Sequence, residues 1–420
     1  MSTVQTTAEV TDLDASLLKG DYAILSRRVH GKRVVYLDSA ASSQKPDAVL
    51  DAMGAFARTS YANVHRGVYT IAEEATAAYE SARRATARFI GAPDPREVVF
   101  TRNATEAINL VAHSWGRTNL GPGDVVVATE MEHHANIVPW QMLAAERGCE
   151  VRFIPIDAEG GLDLTDLDAL LDGAKLLTVT AESNVLATIN DVPALAAAAH
   201  AAGALCLVDA CQSVPHMPVD VSDLGADFLA FSAHKMLGPT GIGVLWGRAE
   251  LLEAMPPFLG GGEMIADVRL DGFTVNELPW KFEAGTMPII EAVGLEAAID
   301  VLEGIGMDRV RAHEIQLNRY ALATLNERFG DEIRIWGPPD AEERGGIASF
   351  SFDDIHPHDI SQVLDEHGVC VRAGHHCAKP LMRCLGIGAT ARASWYVYND
   401  ESDIDALADA LAATAEFFTV

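Results

Sequence analysis

The sequence predicts an α/β protein: a large domain built on a mostly parallel sheet, followed by a smaller α/β domain. Three observations carry this expectation. Short β-rich runs alternate with helical patterns from Val34 onward; the runs are apolar enough for a sheet covered on both faces; and 420 residues suit two domains sharing one body.

Taken in order, Met1 to Asp21 is polar and acidic, without the basic start or apolar stretch of a secretion signal. Strands are expected at Val34-Val35-Tyr36-Leu37, Val98-Val99-Phe100, Val125-Val126-Val127-Ala128, Val151-Arg152-Phe153-Ile154, Leu176-Leu177-Thr178-Val179 and Ala204-Leu205-Cys206-Leu207-Val208. Between the first two lies a helix from Pro46 to Thr59, with proline in the first turn and Val49, Met53 and Phe56 on one stripe. Phe228-Leu229-Ala230-Phe231 and Ile242-Gly243-Val244-Leu245-Trp246 leave little room for a crossover helix, so an antiparallel member is expected there. Pro256 to Thr274, with Gly260-Gly261-Gly262, reads as a flexible loop. A long helical stretch from Glu291 to Phe329 leads to strands near Ala348 to Phe352 and Val369 to Arg372, and an amphipathic helix from Ser402 carries Ile404, Leu407, Leu411 and Phe418. The expected division is 1–30 as an N-terminal segment packing with the small domain, 31–290 as the large domain and 291–420 as the small domain.

Asp and Glu outnumber Lys and Arg by 60 to 31, a formal charge of −29 whose field repels phosphate backbones and anionic lipid. No nucleic acid and no membrane partner is expected. The longest alanine-rich apolar run, Ala194 to Val208, contains His200 and Gly203 and is shorter than the ~20 residues of a bilayer span. A cytoplasmic protein is the expectation. The six cysteines are too scattered for a disulfide framework; Cys206 and Cys370 fall in strand-like runs as packed thiols, whereas Cys377 has basic neighbours.

Five short motifs could carry chemistry. Thr101-Arg102-Asn103-Ala104-Thr105-Glu106 follows a strand and opens a helix, where backbone N–H groups and the Thr105 hydroxyl could hold a phosphate or merely cap the helix. Asp209 ends a buried strand, the usual edge for ligands of parallel sheets. Lys235, in Ser232-Ala233-His234-Lys235, follows the next strand and could form a Schiff base once deprotonated; alone it would read as a turn lysine. His133-His134 could offer an aromatic face for stacking and a proton-transfer group more readily than a metal site, since no acidic or Cys ligand stands at metal-site spacing. Cys377, in Arg372-Ala373-Gly374-His375-His376-Cys377-Ala378, suits a nucleophilic thiolate favoured by Arg372 better than zinc.

Together these residues resemble the group II, SufS-type cysteine desulfurases of the class V aminotransferase-like family. The likeness runs from Tyr36-Leu37-Asp38-Ser39-Ala40-Ala41 to Arg392, and its Arg-x-Gly-His-His-Cys-Ala stretch is highly specific. The resemblance implies fold type I of the pyridoxal-phosphate enzymes, with a seven-stranded sheet, and pyridoxal 5'-phosphate as cofactor. It implies that Lys235 carries the cofactor and moves the substrate Cα proton, that Asp209 pairs with the pyridine nitrogen and Gln212 with the phenolic oxygen, and that His133 stacks on the ring. Ala104, Thr105, Ser232 and His234 would hold the phosphate, with Thr286 from the neighbouring subunit of a homodimer. Asn184 and Arg392 would bind the carboxylate of L-cysteine, with His65, Arg66 and Arg372 bordering the pocket. Cys377 would take the substrate sulfur as a persulfide, leaving L-alanine, and pass it to a SufU- or SufE-like acceptor for iron–sulfur cluster assembly.

His356-Pro357-His358-Asp359 could touch that acceptor through His358, or form a polar turn capped by Asp359. Two positions depart from the family pattern: Ala187 stands where glycine is common, and Met287 interrupts Gly-Thr-Pro. An alanine is expected at position 187 only if its φ is negative or the backbone relaxes. Other readings are a selenocysteine lyase or kynureninase-like enzyme with the same cofactor, and a non-catalytic scaffold or zinc-binding protein.

Overall fold

A computed structural model describes residues 13–418. The main sheet has seven strands: β1 (Val98–Thr101), β2 (Val125–Thr129), β3 (Glu150–Ile154), β4 (Ala174–Thr180), β5 (Leu205–Asp209), β6 (Phe228–Ser232) and β7 (Gly243–Gly247), in the spatial order β1-β7-β6-β5-β4-β2-β3. β2 to β6 pair in parallel with their neighbours, and β7 runs antiparallel to both β6 and β1. The antiparallel member is where the short connection predicts it, and the seven strands are what the family resemblance implies.

Successive residues of the central strands enter opposite cores, which is why these strands are largely apolar along their length rather than at alternate positions, whereas the edge strand β3 keeps an exposed Glu150. Val98 and Phe100 join a core with Tyr79, Val49 and Leu295, whereas Val99 joins a second core with Ile108, Trp140 and Leu143. The helices Asp47–Thr59, Thr70–Phe89 and Ile289–Ile305 cover the first face, and Ala104–Val111 with Val138–Arg147 cover the second.

A second sheet, β8 (Ile333–Trp336), β9 (Ile347–Phe352), β10 (Arg372–Gly374) and β11 (Thr390–Ser394), is antiparallel in the order β8-β9-β11-β10. The helices Met307–Phe329, Pro357–Glu366 and Glu401–Phe418 bury Leu317, Ile360 and Leu407 against it. Of the N-terminal segment, residues 1–12 lie outside the described part; in the remainder Lys19 pairs with Asp403 at 3.0 Å, on the C-terminal helix. Among the described residues no helix is long and apolar enough to cross a membrane.

Three expectations change. The run Val34 to Leu37 is not a strand of the main sheet: Val35–Tyr36 pairs in parallel with Val369–Cys370, tying the start of the chain to the four-stranded unit. Pro256 to Thr274 contains a hairpin, Ile265–Arg269 with Gly272–Val275, whose side chains are almost all exposed. With no buried face it shows no burial periodicity, so its polar and glycine neighbours read as loop. Finally, the stretch 291–329 is two helices, broken at Gly306, which takes φ 91°.

Candidate active site

All parallel strands of the main sheet end at one edge, and the motif residues follow those ends. β2 leads to His133, β4 to Asn184, β5 ends on Asp209 and leads to Gln212, and β6 ends on Ser232 and leads to Lys235. β1 delivers Asn103, Ala104 and Thr105 to the same edge, and the four-stranded unit closes over it with Arg372, His376, Cys377 and Arg392. The result is a cavity of about 290 Å³ lined by all of these residues together with His234, Cys211 and Glu182.

At one end of the cavity the helix Ala104–Val111 begins. Asn103 caps it, its Oδ1 accepting from the Glu106 N–H at 3.0 Å, and the Ser232 hydroxyl oxygen accepts from the Ala104 N–H at 2.8 Å. β7 must run tight against this turn: a Cβ at Gly243 would lie 2.4 Å from Asn103 Cα. The cup so formed has hydroxyls and a helix N-terminus at its rim, a donor set suited to a phosphate dianion.

His133 stands between the cup and the thiol segment. Burial first, then the charge of Lys235, pushes its pKa down to about 4, so the imidazole is neutral at pH 7. Its Nδ1 accepts from the Ala135 N–H at 3.1 Å, which places the proton on Nε2. His234 is likewise held neutral by burial and Lys235, at about 4. A neutral flat ring can stack on an aromatic ligand without a desolvated charge. Asp209 is buried, with Oδ1 accepting from the Cys211 N–H at 3.0 Å. Gln212 donates to the Ala40 carbonyl at 2.9 Å and leaves Oε1 unpartnered. A buried carboxylate, a lysine, a neutral imidazole and a phosphate cup in one cavity fit pyridoxal 5'-phosphate.

Substrate-side residues meet at the other end. Arg392 is buried and donates to the Asn184 carbonyl at 2.8 Å, while its Nε has no partner. Burial lowers its pKa to about 10, which still leaves it cationic at neutral pH. An orphaned donor on a buried cation is a place for an anionic ligand group. Asp38, in the stretch that carries the family likeness but given no role there, holds the Arg372 guanidinium at 2.9 to 3.2 Å and approaches Arg392 at 3.5 Å. Cys377 is exposed, lines the same cavity as Lys235, and lies close enough to Arg372 and Arg392 to affect both.

Not every expected residue joins this cavity. Thr286 is exposed and outside it. His65 and Arg66 are also outside, His65 with its Nε2 hydrogen-bonded to Glu80 at 2.9 Å and its Nδ1 3.2 Å from Glu263, and Arg66 ion-paired with Glu263 at 3.0 Å. His358 is exposed at the start of the helix Pro357–Glu366; the cap there is His356, whose Nδ1 accepts from the His358 N–H at 3.3 Å, rather than Asp359. Ala187 takes φ 62°, the left-handed region, so the negative φ expected for an alanine is not met. The strain, about 1–2 kcal/mol, is borne by the hydrogen bonds from the Ala187 N–H to the Ser183 carbonyl and from the Gly345 N–H to the Ala187 carbonyl. Among the described residues, no three His, Cys, Asp or Glu side chains gather closely enough to hold a metal ion.

Glu182, unmarked by any motif, is buried with neither carboxyl oxygen hydrogen-bonded. It packs against the second unit: a Cβ at Gly345 would lie 1.9 Å from its Oε1, and one at Gly346 would lie 2.7 Å from Glu314 Oε1. Burial and then the Glu314 charge push the Glu182 pKa up to about 8. Burial opposes ionisation of Glu314 too, but His216 at 2.7 Å and Arg311 together outweigh it and hold that carboxyl below the usual range. Between pH 4.5 and about 8 the folded chain therefore keeps a proton on Glu182 that the unfolded chain loses, so stability falls as pH rises through this window. Glu182→Gln cannot ionise. Its melting temperature relative to wild type is expected to climb from pH 5 to 8 and level off above, a gain of a few kcal/mol readable by calorimetry at several pH values. A pH-independent difference would contradict the neutral carboxyl.

The chain is similar to known proteins along nearly its whole length. The aminotransferase class-V family matches residues 35–407. A "probable cysteine desulfurase" of Streptomyces coelicolor is 52% identical over 97% of this chain and 98% of its own length. A "cysteine desulfurase" of Haloferax volcanii is 48% identical, again covering 97% of this chain and 98% of the relative. Among solved structures, the Escherichia coli cysteine desulfurase CsdA superposes with a TM-score of 0.89 at 38% identity, over 97% of this chain and all of that one. The apo cysteine desulfurase of Thermococcus onnurineus gives 0.87 at 43% identity, over 91% and 94%. The chain thus belongs to the aminotransferase class-V family, in its cysteine desulfurase branch.

Proposed function

We propose that this protein is a pyridoxal-phosphate-dependent cysteine desulfurase that converts L-cysteine to L-alanine and carries the sulfur as a persulfide on Cys377. One observation supports the reading above the others: Lys235 and Cys377, 142 positions apart in sequence, line one cavity with Asp209, His133 and Arg392. An amine for the cofactor and a thiol for the product sulfur are the two groups such chemistry requires.

When bound, the cofactor supplies an electron sink that makes the substrate Cα proton removable and weakens the Cβ–S bond. The chain's residues do the rest. Lys235 would anchor the cofactor and would be the base that takes the substrate Cα proton. Asp209 would keep the pyridine nitrogen protonated; Gln212 would pair with the phenolic oxygen, and neutral His133 would stack on the ring. Ala104, Thr105, Ser232 and His234 hold the phosphate. Arg392 and Asn184 orient the substrate carboxylate, and Arg372 and Arg392 stand near Cys377, which acts as the thiolate nucleophile. That thiolate attacks the substrate sulfur: an S–S bond forms, the Cβ–S bond breaks, and its electron pair is retained by the fragment that takes up protons to become alanine.

The active form is a homodimer in this reading, with Thr286, which stands outside the cavity of its own chain, serving that of the partner. The sulfur passes to a SufU- or SufE-like acceptor near exposed His358, in the cytoplasm, for iron–sulfur cluster assembly. Residues 31–290 and 291–420 would form the large and small domains. Mass spectrometry of the purified protein after L-cysteine tests the central reading: 32 mass units, about one sulfur atom, are expected on the peptide holding Cys377, with alanine released. Alanine release with no sulfur on that peptide would favour the selenocysteine lyase alternative.

A further inference from the structure

We propose that His134, the second histidine of the pair, is the clamp that sets where the Cys377 thiol stands, and so is a positioning residue for sulfur capture and release. The proposal rests on the desulfurase reading for its purpose, though not for its geometry.

The thiol segment is not held by its own backbone preferences. His376 and Cys377 take φ 49° and 55°, two consecutive non-glycine residues in the left-handed region, after Gly374 at 132°. Each costs about 1–2 kcal/mol, so this shape persists only if contacts from elsewhere impose it. The main-sheet unit supplies three such contacts within four residues. Asn184 donates through Nδ2 to the His376 carbonyl at 2.8 Å, the His134 N–H donates to the Cys377 carbonyl at 2.7 Å, and His134 Nε2 accepts from the Lys379 N–H at 3.0 Å. Two of the three come from His134, whose ring also lies 5.7 Å from that of His375.

The clamp has a firm base. His134 opens a short helical turn, His134–Asn136, and buried Glu132 fixes that turn by accepting from Asn136 Nδ2 at 2.7 Å and from the Thr129 hydroxyl at 2.8 Å. Adjacent histidines diverge, so the first faces the cofactor cavity while the second grips the thiol segment. The pair thereby couples the two reacting groups through one rigid turn.

Accepting from an amide requires a lone pair on Nε2, hence the neutral ring with its proton on Nδ1. Burial, then His375 and Lys379, lowers the His134 pKa below its ordinary value, which keeps that form at neutral pH. The titratable groups facing it are His133 on its own turn and His375 and Lys379 on the thiol segment. Protonation would turn the acceptor into a donor opposite another donor and free Lys379 from the clamp, while the backbone bond to Cys377 remains.

Deuterium exchange of the peptide containing Lys379, measured on the holoenzyme, tests this directly. In His134→Ala its exchange is expected to rise about five- to tenfold, the loss of one hydrogen bond, and kcat to fall with KM for L-cysteine little changed. His134→Gln, whose amide oxygen can accept the same N–H, is expected to restore both. In wild type the exchange, corrected for its intrinsic pH dependence, should rise on acidification, at a pH below the ordinary histidine value, as the imidazole protonates; in His134→Gln it should stay flat. Unchanged exchange in His134→Ala, or a His134→Gln variant as mobile as the alanine one, overturns the clamp. Should the alanine variant fail to fold, the pH profile of His134→Gln decides alone. Exchange behaving as expected while no variant, nor wild type, releases alanine from L-cysteine would sink the desulfurase reading and leave the clamp standing.

Discussion

Lys235→Ala is expected to remove desulfurase activity, by at least about 10³-fold, and to bleach the yellow colour of the lysine-bound cofactor. Both losses follow from one amine. Lys235 follows the end of β6 in a short turn, beside Ser232 and His234, and lines the cavity opposite the thiol segment. Among the described residues no other lysine lines that cavity, so no second amine stands there to take over the covalent anchorage or the Cα proton. The cup built from Ala104, Thr105 and Ser232 is untouched by the substitution, so the variant should still take up cofactor, weakly and without the covalent bond. The measurement is an absorption spectrum with and without added cofactor, together with alanine release from L-cysteine. A variant that keeps the colour and more than a tenth of the activity would assign the amine elsewhere.

How much of this was legible in the sequence depends on whether a residue's role is local. The strands of the main sheet are readable because burial on both faces makes them continuously apolar: Val125 to Thr129 is buried at every position. The antiparallel β7 is readable from the short connection after β6, since a parallel neighbour needs a longer crossover. The exposed hairpin at Ile265–Val275 is not readable, because neither of its faces faces a core. Val35–Tyr36 looks like any other strand of the series, and only its tertiary partner, Val369–Cys370, sets it apart.

The site divides in the same way. Lys235, Asp209 and the Thr105 turn lie just after strand ends, and a parallel sheet gathers such positions without further information. Asp38 and Glu182 carry no local signal: one matters through Arg372 and Arg392, the other through Glu314 and His216, all distant in sequence. His134 is visible as half of a pair, but its partner atoms, the Cys377 carbonyl and the Lys379 amide, are about 240 residues away and unknowable from spacing. Ala187 shows the opposite error, in which a sound rule about left-handed backbone fails because surrounding hydrogen bonds outweigh the strain.

Cys377→Ala separates the chemistry of the cavity from the fate of the sulfur. Cysteine turnover is expected to fall at least about 10²-fold, because the Cβ–S bond then has no thiolate to receive the sulfur. Binding should survive: the groups that meet the substrate carboxylate, Arg392 and Asn184, are held by each other and by the His376 carbonyl, none of which involves the Cys377 side chain. The variant is therefore expected to bind L-cysteine, shift the cofactor spectrum and exchange the Cα proton with solvent, while releasing almost no alanine. Selenocysteine offers the contrast, since selenium leaves without a protein thiol, and its conversion to alanine should persist. Serine at the same position gives a second check on shape, because its side chain keeps the size of the thiol and still cannot accept sulfur as a persulfide. Full cysteine turnover in either variant would mean that another group takes the sulfur. Cys211 lines the same cavity, but burial and then Asp209 push its pKa well above the ordinary thiol value, so it stays protonated and is a poor substitute.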